Sequence, residues 1–167
     1  LIGVPLTIFG NRLFDAVSGN EKSPCFLCAR MRRGALYAKA KELGCNKIAL
    51  GHHYDDVIET TLMSILYSGQ VQTMMPKLHS THFEGMELIR PMYLIREKDI
   101  ENWRDRYGLE FADCACSVAD SGSKAALSSK RRQTKALIRE LHKTNPGVEA
   151  NIMSSMENVY LDSVISY

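Results

Sequence analysis

Apolar residues recur along this chain with a period that changes several times. Residues 4 to 9, Val-Pro-Leu-Thr-Ile-Phe, form a short apolar run that predicts a strand, with Pro5 near its start. Residues 10 to 24 hold Gly10, Asn11, Ser18, Gly19, Asn20 and Pro24, the composition of a loop. From about Phe26 to Leu43 the spacing becomes three to four, through Leu27, Met31, Leu36, Tyr37, Ala40 and Leu43. That is helical, and Gly44 is its expected C-terminal cap. Lys47-Ile48-Ala49-Leu50, bounded by Asn46 and Gly51, predicts a buried parallel strand. A second helix is expected over 55–67, with a stripe of Val57, Ile58, Leu62, Ile65 and Leu66 ended by Ser68-Gly69.

Strand, helix, strand, helix in this order is the rhythm of a doubly wound α/β domain. The expected fold class is therefore α/β, a partial doubly wound, Rossmann-like parallel sheet with a helical C-terminal extension. Beyond it, 79–83 and 86–90 flank Glu84-Gly85 as a hairpin, closed by Pro91. A helix is expected from Arg96 to Tyr107 with Gly108 as cap, irregular chain over 111–123, and a helix from Lys124 to Lys143. Asn145-Pro146-Gly147 breaks that helix, and a last one is expected over Val148 to Val159. The expected division is a truncated nucleotide-binding domain over 1–95 and the helical extension over 96–167.

Length and composition narrow the setting. One domain with a core fits 167 residues, 45 % hydrophobic and 24 % charged. No apolar run is long enough to span a membrane, and the start lacks a signal-peptide pattern. It also lacks a Met and reads as the inside of a domain, which predicts that a natural chain began upstream. Net charge is only +2. The cations cluster, however: Arg30, Arg32 and Arg33 after the first cysteines, then Lys130, Arg131, Arg132 and Lys135. Such patches suit phosphates, or simply form solvated helix faces. Five cysteines without a secretory pattern argue against a disulfide framework and for metal or redox chemistry in a reducing cytoplasm.

Cys25-Phe26-Leu27-Cys28 follows Pro24 and opens a helix, where the dipole and free N–H groups favour thiolate. The spacing lets both sulfurs reach one metal ion or cluster. Cys114 and Cys116, beside Asp113, each offer a third ligand. Three protein thiolates leave one position open, which suits a working site, and spacing alone does not distinguish iron–sulfur from zinc. Gly51-His52-His53 stands at a strand's carboxyl end, where open α/β sheets bind ligands. Asp55 and Asp56 in the next helical turn either hold magnesium or act as helix caps. Arg32 lies one turn after Cys28 and could face a phosphate or the metal, with Arg33 as its competitor.

These motifs, taken in order, resemble one family. Cys25-x-x-Cys28-Ala-Arg-Met-Arg32-Arg33-Gly34, then Ala49-Leu50-Gly51-His52-His53-x-Asp55-Asp56-x-x-Glu59-Thr60, then Met75-Pro76-Lys77-Leu78, Ile89-Arg90-Pro91 and Arg96-Glu97-Lys98-Asp99-Ile100 are similar to the tRNA 2-thiocytidine synthetases. These belong to the PP-loop adenine-nucleotide hydrolase superfamily, and the resemblance runs from about residue 20 to about 158. It implies a PP-loop type of sheet and a two-step reaction. ATP adenylates the C2 carbonyl oxygen of a tRNA cytidine, and sulfur then displaces AMP. It further implies a [4Fe–4S] cluster on Cys25, Cys28 and Cys114, and ATP with Mg2+ near Gly51, His52, Asp55 and Asp56. Arg32 takes the place of a basic residue near the catalytic centre. The implied partners are tRNA and a sulfur donor of the cysteine desulfurase type, with no membrane.

Two departures stand out. The family's phosphate loop, Ser-Gly-Gly-x-Asp-Ser, does not occur in the 167 residues, so the chain by itself is expected to lack ATP activity. Cys114-Ala115-Cys116 replaces a CxxC-like element, which leaves the third ligand between the two, with Cys114 favoured. Alternatives are a zinc- or RNA-binding module without catalysis, and a sulfur-transfer protein with another substrate. An uncovered sheet edge would also make a homodimer a candidate assembly.

Overall fold

A computed structural model describes residues 3–10, 24–111, 129–163 and 165, leaving aside the side chains of 24–26. Helix α1 spans Pro24–Glu42 and β1 spans Lys47–Ala49. Helix α2 covers Tyr54–Ser68, followed by β2 at Lys77–His79 and β3 at Glu87–Ile89. Helices α3 (Glu97–Tyr107), α4 (Lys130–Thr144) and α5 (Val148–Ser154) follow, then a 3-10 turn at Leu161–Ser163.

The three strands lie in the order β1-β3-β2. Glu87 N–H donates to Asn46 O at 2.9 Å and Leu50 N–H to Ile89 O at 2.9 Å, so both strands advance together. β1 and β3 are therefore parallel, as expected of an α/β crossover, but β1 is not the buried strand predicted, since Lys47 and Ala49 are exposed. Ser80 N–H donates to Met86 O and Arg90 N–H to Pro76 O, each at 2.9 Å, an antiparallel hairpin as expected, although its first strand is Lys77–His79 and residues 81–85 form the turn rather than a strand over 79–83. Its turn is closed by the Ser80 hydroxyl, which accepts from Phe83 N–H at 3.0 Å, and by Gly85 at φ 76°.

Sequence signals at helix ends survive in the structure. After α1, Cys45 N–H donates to Ala40 O and Gly44 N–H to Lys41 O, with Gly44 at φ 73°. That is a Schellman closure, which needs a residue tolerant of the left-handed region. Two expectations are corrected. Residues 3–10 are not a strand: Leu6 and Ile8 are 83 % and 87 % exposed, and nothing among the described residues forms a ladder with them. An apolar run becomes a strand only when a neighbour takes its N–H and C=O groups. The final helix ends at Ser154 rather than Val159. The expected helix over Lys124 to Lys143 is observed from Lys130 to Thr144; its first residues, and the stretch 112–128, lie outside the described residues.

The chain divides into two compact units, Leu1–Ile48 with His79–Leu88, and Ala49–Leu78 with Ile89–Tyr167. In the first, Tyr37 of α1 is buried and stacks on Phe83 at 5.0 Å between ring centroids. In the second, α2 packs on α4 and α5, and α4 on α5. Val57, Ile58 and Ile138 form the apolar centre there. Thr61 and Thr134 are buried with them and satisfy their hydroxyls locally, Thr61 on Val57 O and Thr134 on Lys130 O, both at 2.9 Å. Among the described residues no helix is long and apolar enough to cross a membrane.

Candidate functional site

The second unit places Gly51 and His52 directly after β1, with α2 beginning at Tyr54. A Cβ on Gly51 would stand 3.3 Å from Met92 Cε, so the backbone passes close to the 91–96 segment. That segment is tied to α2 by Tyr54 N–H donating to Ile95 O at 2.9 Å. His52 Nδ1 accepts from Arg90 Nε at 3.3 Å, and Arg90 Nη1 also donates to Met75 O. Arg90 is buried, so its guanidinium ties the His52 turn to the chain entering β2.

His53 is the N-cap of α2 and forms a capping box with Asp56. Asp56 N–H donates to His53 Nδ1 at 3.4 Å, and His53 N–H donates to Asp56 Oδ2 at 3.2 Å. Asp56 therefore caps the helix, one of the two roles its sequence allowed. Its other oxygen, Oδ1, meets Arg131 Nη1 at 2.9 Å. The same Nη1 reaches Glu59 Oε2 at 2.8 Å, and Nη2 donates to Thr60 Oγ1 at 3.2 Å. Burial pushes the Glu59 carboxyl above its ordinary value, against the pull of Arg131 in the other direction.

Asp55 turns toward a different arginine. Its Oδ1 is 3.1 Å from Arg96 Nη2, and its Oδ2 accepts from Glu97 N–H at 2.7 Å, capping α3 from outside. Arg96 Nη2 also meets Glu149 Oε2 at 2.7 Å, and its Cζ lies 4.8 Å over the Tyr54 ring. Burial opposes the Arg96 charge, yet Glu149 and Asp55 outweigh it and hold the guanidinium above its ordinary value. Burial raises the Tyr54 hydroxyl, which reaches Glu149 O at 3.2 Å. Lys135 pairs with Glu97 across the same cavity, about 200 Å³, lined by Asp55, Glu59, Arg96, Glu97, Lys135 and Glu149.

Both oxygens of Asp55 and of Asp56 have partners inside the protein, His53 N–H and Arg131 for Asp56 and Glu97 N–H and Arg96 for Asp55. Among the described residues no group of three or more His, Cys, Asp or Glu side chains is arranged to hold a metal ion. Within the late basic patch, Arg131 and Lys135 pair with carboxylates, and Lys130 Nζ lies 4.7 Å over the Tyr67 ring. Arg132 is exposed, as are Arg30, Arg32 and Arg33 on α1. Arg96 and Glu149 were missed by sequence reasoning, because no local spacing links residues 53 apart.

Cys25 and Cys28 fall in the first turns of α1, three residues apart in sequence. Cys28 is half-buried and, like Cys45, forms no disulfide. By residue type, a Cys-x-x-Cys pair supplies the donor chemistry of an iron–sulfur or zinc centre. Cys114 and Cys116 lie outside the described residues.

Residues 15–121 match the PP-loop domain family. This chain belongs to the PP-loop family. Over 161 residues, 95 % of its length, it is 37 % identical to the tRNA-cytidine(32) 2-sulfurtransferase of Alkalilimnicola ehrlichii, covering 49 % of that protein. The enzyme of the same name from Burkholderia vietnamiensis is 40 % identical over 161 residues, 46 % of its length being covered. A third, tRNA-cytidine(32) 2-sulfurtransferase 2 of Francisella tularensis, is 42 % identical over 138 residues, which are 83 % of this chain and 52 % of that one. The chain thus spans about half the length of the curated relatives it matches. In fold, it is similar to the U34-tRNA thiolase NcsA of Methanococcus maripaludis, solved with its [4Fe-4S] cluster. That match has a TM-score of 0.63 and 23 % identity, over 87 % of this chain and 47 % of the thiolase. The PP-loop assignment bears out the α/β fold and the family expected from the motifs.

Proposed function

We propose that this chain serves the 2-thiolation of a tRNA cytidine. The observation that carries the reading is the 40 % identity to a tRNA-cytidine(32) 2-sulfurtransferase across 95 % of the chain. In this reading the C2 carbonyl oxygen of the base attacks the α-phosphorus of ATP and pyrophosphate leaves. Sulfur then bonds to C2, and AMP departs with the oxygen. Residues 1–95 supply the nucleotide side and 96–167 the helical part that carries Cys114.

Cys25, Cys28 and Cys114 would hold a [4Fe–4S] cluster. Such a cluster supplies one open coordination position where incoming sulfur can bind. Gly51 and His52 would approach ATP at the strand end, where a glycine lets backbone come near a ligand. Arg32, exposed on α1 one turn beyond Cys28, would supply positive charge to the phosphates or the base. Asp55 and Asp56 would shape the floor of the site through the helix starts they cap, and magnesium would arrive with the nucleotide phosphates. Exposed Arg30, Arg33 and Arg132 suit tRNA phosphates, making binding weaken as salt rises. A cysteine desulfurase-type donor, a cytoplasmic setting and a homodimer complete the reading. Because Ser-Gly-Gly-x-Asp-Ser does not occur in the 167 residues, ATP turnover by this chain alone is not expected.

The test is nucleoside mass spectrometry of tRNA from a strain deleted for the gene. Loss of 2-thiocytidine, restored on complementation, supports the reading, and an unchanged nucleoside profile ends it. Anaerobic purification and iron reconstitution give a second measure: a colourless, zinc-loaded protein would point to the non-catalytic module instead.

A further inference from the structure

We propose that Arg131 is a positioning residue for Asp56, its guanidinium fixing the Asp56 carboxylate beside that of Glu59. The inference rests on the reading of Asp56 as a carboxylate of the thiolation site, and goes beyond it by assigning what holds that carboxylate.

Asp56, Glu59 and Thr60 are spaced i, i+3 and i+4, so they share one face of α2. One guanidinium reaches all three, at 2.9, 2.8 and 3.2 Å. Its planar fork fixes directions as well as charge, which a lysine does not reproduce. With Oδ1 on Arg131 and Oδ2 on the His53 N–H, the Asp56 carboxylate is held from both sides.

The location of Arg131 points the same way. It sits in the first turn of α4 between Lys130 and Arg132, and that turn carries no acidic residue. Cations at a helix start oppose the dipole. The α2 carboxylates offset that cost. Glu59, 5 % exposed, is in turn a carboxylate whose burial requires a cationic partner. Arg131 and Glu59 thus justify each other, and Asp56 is oriented by the same contact.

The experiment reads Mn2+ binding to this chain by electron paramagnetic resonance, independent of catalysis. With the guanidinium in place, its positive charge opposes a divalent cation at Asp56 and Glu59. Arg131→Gln is expected to tighten Mn2+ binding about tenfold by releasing two neighbouring carboxylates, and adding Asp56→Asn should remove that gain. Arg131→Lys should bind Mn2+ little better than the wild type. Equal Mn2+ affinity in wild type and Arg131→Gln overturns the proposal and leaves the family reading untouched. Should Arg131→Gln fail to fold, the comparison is made in a Glu59→Gln background, where no buried charge is stranded, Asp56 alone is released, and a smaller gain that Asp56→Asn removes is expected. In the complete thiolating protein, Arg131→Lys is expected to lower kcat about tenfold with KM for ATP unchanged, as displaced catalytic groups do. If Asp56→Asn thiolates tRNA like the wild type, the reading of Asp56 falls, and the positioning role of Arg131 falls with it.

Discussion

Arg96 and Glu149, 53 residues apart in the chain, meet at 2.7 Å and join the start of α3 to the start of α5. The same guanidinium covers Tyr54 and pairs with Asp55, so the starts of three helices share one cation. A double-mutant cycle of Arg96→Gln and Glu149→Gln is expected to show positive coupling. Arg96 is 37 % exposed in its side chain, and solvent screening keeps the coupling small, about 0.5–1 kcal/mol by urea unfolding. Additive effects would mean that the two side chains do not act together in solution.

Glu59 predicts a particular pH dependence. Burial raises its carboxyl above the ordinary 4.5, so the folded chain binds this proton more tightly than the unfolded chain. Its contribution to stability is then fully present below pH 4.5 and declines as pH rises through the higher folded value. Glu59→Gln should remove that decline. Stability curves of the two proteins from pH 4 to 7 should therefore diverge, with the variant gaining relative to wild type toward neutral pH; parallel curves would contradict the assignment.

Cys25→Ser is expected to abolish cluster binding while leaving the fold largely intact, since Cys25 opens α1 rather than lying in its middle. Iron content after anaerobic reconstitution and far-UV circular dichroism separate the two effects. Full iron retention would remove Cys25 from the ligand set.

Gly51 separates folding from ligand approach. Its added Cβ would press on the flexible end of Met92 at 3.3 Å, which can yield. Gly51→Ala should therefore cost less than about 1 kcal/mol in urea unfolding, and Gly51→Val about 1–3 kcal/mol. In the complete protein Gly51→Ala should weaken ATP binding more than stability. A variant that loses stability and keeps ATP affinity would assign the glycine to packing alone.

Much of the local structure was legible because its signals are short-ranged. Gly44, Gly69 and Gly108 each end a helix at φ 73°, 61° and 58°, and each was readable as a cap from its place after an apolar stripe. The hairpin followed from Glu84-Gly85 between two apolar runs. What sequence did not reveal is the assignment of charges. Nothing in Asp55-Asp56 announces the arginines they pair with, which lie 41 and 75 residues downstream. Likewise, nothing local to Arg131 and Lys135 announced the carboxylates they pair with. Residues 4 to 9 had an apolar pattern but, among the described residues, no neighbour that turns such a pattern into a strand.

The parallel pairing of β1 with β3 has a kinetic corollary. The hairpin needs only a short turn to close, an event of roughly 1–10 μs, whereas joining Asn46 to Glu87 must first gather an intervening stretch that includes α2. Folding should therefore proceed from the hairpin outward, with β1 docking late. Pulse-labelled hydrogen exchange would see the Ser80 amide protected before that of Leu50, and the turn that carries His52 would be among the last parts of the molecule to take shape.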